Sequence, residues 1–235
     1  MFEKQLKFLR NNLFPEAFTC DICGLETFGG NLCADCLKTV TFNNGEKCPV
    51  CGRKTAKSEI CLECKQCAPI FERALSPIVY EGGGSKLVLK FKNGNGYLKE
   101  YFADLIAKEL ETFPAPDCIV YVPMTKPDEK KRGYNQARLL AEAVAKRTGI
   151  PLIKNAVIKT KKTTGQKELG RTDRAKNLEG SFKVEKRGEI KGKAVLIVDD
   201  VLTTGATADE ICKQLLKAGA AKTYLATVAS VQYKT

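Results

Sequence analysis

Eight cysteines in this chain are spaced to hold metal. The segments CDICGLETFGGNLCADC and CPVCGRKTAKSEICLEC repeat one pattern, Cys-x-x-Cys, nine residues, Cys-x-x-Cys, displaced by 28 positions. Thiolates at this spacing close on a tetrahedral zinc ion. The glycine after each leading pair, Gly24 or Gly52, lets the chain turn so that backbone N–H groups face the sulfurs. Two sites are expected: Cys20, Cys23, Cys33 and Cys36 on one Zn2+, and Cys48, Cys51, Cys61 and Cys64 on the other. A cross-braced pairing of the four knuckles fits the same spacing. Four thiolates leave no open coordination position, so both zinc ions are read as structural. Cys67 is then either a substitute for Cys64 or a partly buried free thiol.

A second group of reactive residues lies near the C-terminus, in AVLIVDDVLTTGATADEICKQLLKAG. Ala194 to Val198 reads as a buried parallel strand, and a helix is expected from about Thr207 to Lys217. Asp199 and Asp200 emerge at the carboxyl end of that strand, where ligands of such sheets bind, and are the candidate catalytic residues. The loop Thr203, Thr204, Gly205, Ala206 and Thr207 offers backbone N–H groups, three hydroxyls and a helix N-terminus, all donors suited to a phosphate dianion. Two carboxylates beside a phosphate would repel it unless they serve another group. Ribose hydroxyls, which donate to carboxylates, supply that group, so the expected ligand is a ribose 5-phosphate. Neither a Gly-Lys-Ser/Thr phosphate loop nor a G-x-G-x-x-G fingerprint is present, which weighs against nucleotide triphosphate hydrolysis and dinucleotide binding.

The elements that hold these groups come from two unlike parts. The 235 residues suit a domain of about 150 residues with a small companion. Nine of the 11 cysteines fall within the first 67 residues. The expected division is an N-terminal helix and linker at 1–19, a double zinc ribbon at 20–70, and an α/β domain at 71–235. Between residues 20 and 67 only ten large apolar side chains besides cysteine occur, too few for a self-sufficient core, so metal must stabilise that part. Phe2, Leu6, Leu9 and Leu13 form one apolar helical stripe, which either packs on the ribbons or makes a peripheral membrane contact.

Charge and composition narrow the chemistry. With no histidine, Ser-His-Asp and Cys-His nucleophiles and imidazole acid–base catalysis are excluded. The net charge of +12 belongs almost wholly to the second part, and residues 154 to 193 alone hold 13 basic against 5 acidic side chains. That excess suits an anionic ligand or polymer, or a solvated face. No secretory signal is legible and no apolar run reaches the roughly 20 residues of a membrane span, so a reducing cytoplasm is the expected setting.

VLIVDDVLTTGAT resembles the phosphoribosyl pyrophosphate (PRPP) loop of type I phosphoribosyltransferases. YVPMTKPDEKKRGYNQARLLAEAVA, YEGGGSKLVLKFKNGNG and TGQKELGRTDRAKNLEGSF are similar to segments of the competence ComF family, and the resemblance covers nearly the whole chain. It implies a type I phosphoribosyltransferase-like parallel sheet flanked by helices, preceded by the double zinc ribbon. It also implies a PRPP site in three parts. Pro123, Met124, Lys126 and Arg132, helped by Lys130 and Lys131, would face pyrophosphate; Lys161, Lys162, Gln166, Arg171 and Arg174 would belong to a mobile basic loop at about 159 to 177. The third part is the 5-phosphate loop at 203 to 207. Mg2+ is expected with PRPP. Family members usually carry arginine where this chain reads TKKTTG, which keeps the charge but not the bidentate fork.

Two functions follow from the resemblance. One is the uptake and handling of single-stranded DNA in natural transformation, with competence or recombination proteins as partners. The other is an active phosphoribosyltransferase, for which Tyr134 and Phe182 are candidate rings to stack on an acceptor or, equally, core residues.

Overall fold

The computed structural model describes residues 19–27, 32–160 and 178–232. The expected helix at 2–13 and the expected loop residues Lys161, Lys162, Gln166, Arg171 and Arg174 lie outside the described residues. In chain order the elements are α1 (Ala34–Lys38), α2 (Leu62–Gln66), β1 (Arg73–Leu75), β2 (Ile78–Val79), α3 (Gly82–Lys92) and α4 (Leu98–Leu110). There follow β3 (Cys118–Tyr121), α5 (Lys126–Arg132), α6 (Gln136–Thr148), β4 (Val157–Lys159), β5 (Phe182–Val184), α7 (Arg187–Ile190), β6 (Ala194–Leu202), α8 (Ala206–Lys217) and β7 (Lys222–Ser230).

A parallel sheet in the order β1, β7, β6, β3 forms the centre, as the α/β reading expects. Its edge is in two pieces, because β1 pairs with Tyr224 to Ala226 of β7 and β2 with Ala229 and Ser230 farther along the same strand. The apolar run of β6 is buried on both sides, and its side chains alternate between two cores. Leu196, Val198, Tyr224 and Ala226 face the core covered by α3, α4 and α6, where Phe91 and Phe102 meet edge to face at 5.4 Å. Val195, Ile197 and Leu225 face the core covered by α8 with its Ile211 and Leu215, and by the small antiparallel pair β4–β5.

The two cysteine-rich units reach opposite faces of this sheet. Ile22, Leu32 and Phe42 pack against the first core, which includes Val40, whereas Cys48, Cys51, Cys64 and Phe71 belong to the second. Polar contacts tie the units down as well. Asn43 donates to the carbonyls of Gly52 (2.6 Å) and Ser76 (2.9 Å), and Ala74 N–H donates to the Val50 carbonyl at 2.7 Å. Gly52 has a φ of +68°, and a Cβ there would lie 2.4 Å from the Ala74 carbonyl oxygen, so this approach of knuckle to sheet needs glycine on both counts. No helix among the described residues is long and apolar enough to cross a membrane.

Candidate functional site: a phosphate loop beside a cationic cleft

Each cysteine quartet converges, with the four sulfurs of Cys20, Cys23, Cys33 and Cys36, and of Cys48, Cys51, Cys61 and Cys64, within 4.8 Å of one another. The Cys23–Cys33 and Cys51–Cys61 separations of 3.8 and 3.6 Å are close to the ~3.8 Å between two sulfurs each ~2.3 Å from a tetrahedral zinc. The grouping is sequential, which removes the cross-braced alternative. Ile22 N–H donates to the Cys20 sulfur and Cys61 N–H to that of Cys48, both at 3.4 Å. Burial works against the thiolate at Cys20 and Cys48, yet backbone donors outweigh it and bring these thiols down to about 6 and about 7. Burial instead pushes Cys36 and Cys51 up to about 12 and about 11, so it is the convergence of the four sulfurs that fits both quartets to structural zinc. Cys67 is exposed beyond α2, not partly buried, and Cys64 completes the second quartet in its place.

Strand β6 runs four residues beyond the expected Val198, because Asp199, Val201 and Leu202 stay in register with Thr227, Ala229 and Ser230 of β7. Gly205, at a left-handed φ of +82°, then turns the chain into α8, and Thr204 Oγ1 accepts from Ala206 N–H at 3.5 Å. Residues 203 to 207 and Asp199 line a cavity of about 80 Å³ at this turn, in front of the helix N-terminus. Asp199 Oδ1 accepts from Asp200 N–H at 2.8 Å. Burial, and next the charge of Asp200, push the Asp199 carboxyl up to about 7. Asp200 instead pairs with Lys92 Nζ at 3.1 Å.

A larger cleft of about 720 Å³ adjoins the first, with Asp199 and Thr207 on its wall. Pro123, Met124, Lys131 and Arg132 line it, together with Lys92, Lys159 and Phe182. Lys126 and Lys130 are exposed on α5 and lie outside that lining. Lys159 is half-buried at the end of β4, its Nζ 5.8 Å from the Phe182 ring centre, and burial lowers its pKa.

The Arg-Gly-Tyr-Asn-Gln segment acts as the frame of this cleft. Asn135 caps α6 by accepting from Arg138 N–H (3.2 Å) and donates to the Val122 carbonyl at 3.1 Å. Gln136 donates to the Lys92 carbonyl (3.3 Å) and accepts from Arg132 (3.1 Å). Tyr134 donates to the Phe91 carbonyl and accepts from Gly94 N–H at 3.1 Å. Its hydroxyl thus holds the turn carrying Lys92, and the Tyr134 ring lies outside the lining of the cleft. Phe182 is both a core residue and a wall of the cleft. Sequence reasoning missed Lys92, since a lysine at a helix end carries no local signal of the carboxylate it will meet.

Residues 134–235 match the model of the phosphoribosyl transferase domain, and residues 9–65 that of the double zinc ribbon domain. The chain is 38% identical over 120 residues to "Competence protein F" of Haemophilus influenzae, covering 51% of this chain and 52% of that protein. It is 36% identical over 117 residues to "DNA utilization protein YhgH" of Escherichia coli K12, covering 50% and 51%. To "Competence protein ComFC" of Bacillus subtilis it is 28% identical over 133 residues, covering 56% and 52%. The alignments thus span about half the length of these curated relatives. Over that half they bear out the resemblance read from the sequence, and the two domain models with the cysteine quartets bear out the expected fold class, a type I phosphoribosyltransferase-like sheet behind a cysteine-rich ribbon.

Proposed function

We propose, for a chain that joins a double zinc ribbon to a phosphoribosyl transferase domain and is similar to proteins named for competence and DNA utilization, that it binds PRPP or another ribose 5-phosphate ligand. We propose further that it does so in the cytoplasm, in the handling of single-stranded DNA during natural transformation. The observation that carries this reading is the turn 203–207, open at a helix N-terminus with Asp199 on the same wall. In this reading the 5-phosphate takes the N–H groups and hydroxyls of Thr203, Thr204, Gly205, Ala206 and Thr207. Asp199 and Asp200 accept from the ribose hydroxyls, and Mg2+ arrives with the pyrophosphate. Lys131 and Arg132 face that pyrophosphate across the cleft, and Lys161, Lys162, Gln166, Arg171 and Arg174 belong to the loop that would close over it.

The basic charge supports a contact with phosphodiesters, of modest affinity and steep salt dependence. A calorimetric titration of zinc-loaded protein with Mg-PRPP tests the ligand, beside an Asp199→Asn, Asp200→Asn variant. Binding by the parent and loss in the variant is the expected result; a folded parent that does not bind removes the reading. A labelled oligonucleotide that stays free even at about 50 mM salt would remove the direct DNA contact.

A second reading, an active phosphoribosyltransferase, is favoured by the size of the cleft beyond Asp199, which leaves room for an acceptor beside the ribose. Its test is PRPP-dependent pyrophosphate release across a panel of bases and amines, and silence across that panel counts against it.

A further inference from the structure

We propose that Arg53, the second residue after the zinc ligand Cys51, is a positioning residue that sets the phosphate loop from behind. Arg53 is buried, 6% exposed, and belongs to the second cysteine knuckle, its own carbonyl accepting from Cys48 N–H at 2.8 Å. Its guanidinium crosses to the other part of the chain. Nη2 donates to the Thr203 carbonyl, and Nε donates to the Val231 carbonyl at 2.8 Å. Val231 N–H in turn donates to Leu202 O at 3.0 Å, so one planar fork joins the start of the loop to the end of β7.

The orientation matters more than the attachment. A peptide unit is planar, and no peptide bond among the described residues is cis. The Thr204 N–H therefore points opposite to the Thr203 carbonyl. With that carbonyl held back against Arg53, the N–H is turned away from the ribbon, and Thr204 lies on the wall of the phosphate cavity. A cation on the oxygen also polarises the amide and strengthens the N–H as a donor.

Two further contacts keep the arm in register. Ile70 N–H donates to Asp209 Oδ1 in the first turn of α8 at 2.8 Å. The tight passage of Gly52 beneath Ala74 leaves the knuckle little room to shift. The second zinc site is thus the footing of the phosphate loop.

This inference rests on the proposed ribose 5-phosphate site, and its test separates the two. Zinc-loaded parent, Arg53→Ala and Arg53→Lys are titrated with ribose 5-phosphate and, separately, with Mg-pyrophosphate, and amide exchange at Thr204 is followed without ligand. Loss of a charge-assisted hydrogen bond predicts ribose 5-phosphate affinity about tenfold weaker in Arg53→Ala. Mg-pyrophosphate binding should stay within about twofold, two zinc ions should be retained, and Thr204 exchange should be faster. Arg53→Lys, which keeps one donor of the fork, should fall between the two. Equal weakening for both ligands in Arg53→Ala, or zinc loss that Arg53→Lys does not restore, would mean a merely structural role and overturn the inference. Unchanged ribose 5-phosphate affinity with unchanged exchange would overturn it as well. If the parent itself binds no ribose 5-phosphate, the functional reading fails, and Thr204 exchange alone decides for or against Arg53.

Discussion

Replacing Asp199 with asparagine should change how the stability of the unliganded protein depends on pH. Asp199 titrates near 7 in the folded chain, because burial and then Asp200 disfavour its charge, against ~3.9 for an unfolded aspartate. Between those values the folded chain holds a proton that the unfolded chain has released. The stability that Asp199 contributes is therefore full at low pH and falls as pH rises towards 7, by about 1.4 kcal/mol per unit for one proton. The chain has no histidine, so no imidazole titration overlaps this window. Urea unfolding of zinc-loaded parent and Asp199→Asn at about pH 5, 6 and 7 should show the variant gaining on the parent by roughly 2 kcal/mol in all. Proton competition at the zinc thiolates is common to both chains and cancels in the difference. A difference that stays flat from pH 5 to 7, or that shrinks, would refute the assignment of a raised carboxyl to Asp199.

Two other outcomes are expected. Chelation should release two zinc ions per chain and abolish cooperative unfolding of the whole protein, since each structural site supplies on the order of 10 kcal/mol and the second belongs to a core of the sheet; far-UV circular dichroism against chelator reads this, and an intact thermal transition without zinc would contradict it. Asn135→Ala removes a helix cap and strands the Val122 carbonyl, a cost of about 2–3 kcal/mol by denaturant unfolding, and a loss under about 0.5 kcal/mol would show that the frame of the cleft does not depend on it.

The parts of the molecule legible in the sequence are those with a local cause. Ligand spacing and the glycines at 24 and 52 specify the knuckles, and the run Val195 to Val198 announces a doubly covered strand. The extension of that strand through Asp199 to Leu202 was hidden, because polar residues enter a strand only when a neighbour takes their backbone groups. Here the neighbour is β7. Lys92 and Arg53 were missed for a similar reason: the carboxylate that Lys92 meets lies 108 positions away, and the carbonyl that Arg53 holds lies 150 away. The Arg-Gly-Tyr-Asn-Gln segment was visible as a motif, but its work of holding Val122, Phe91 and Lys92 is tertiary.

The placement of the two cysteine-rich units on opposite faces of one sheet has a consequence for the living cell. A cofactor seated at a catalytic centre leaves an intact, idle enzyme when it is scarce. Here scarcity of zinc would leave both hydrophobic layers partly uncovered, a chain for chaperones and proteases to process. Zinc supply should then govern how much of the protein exists, not how fast each copy works.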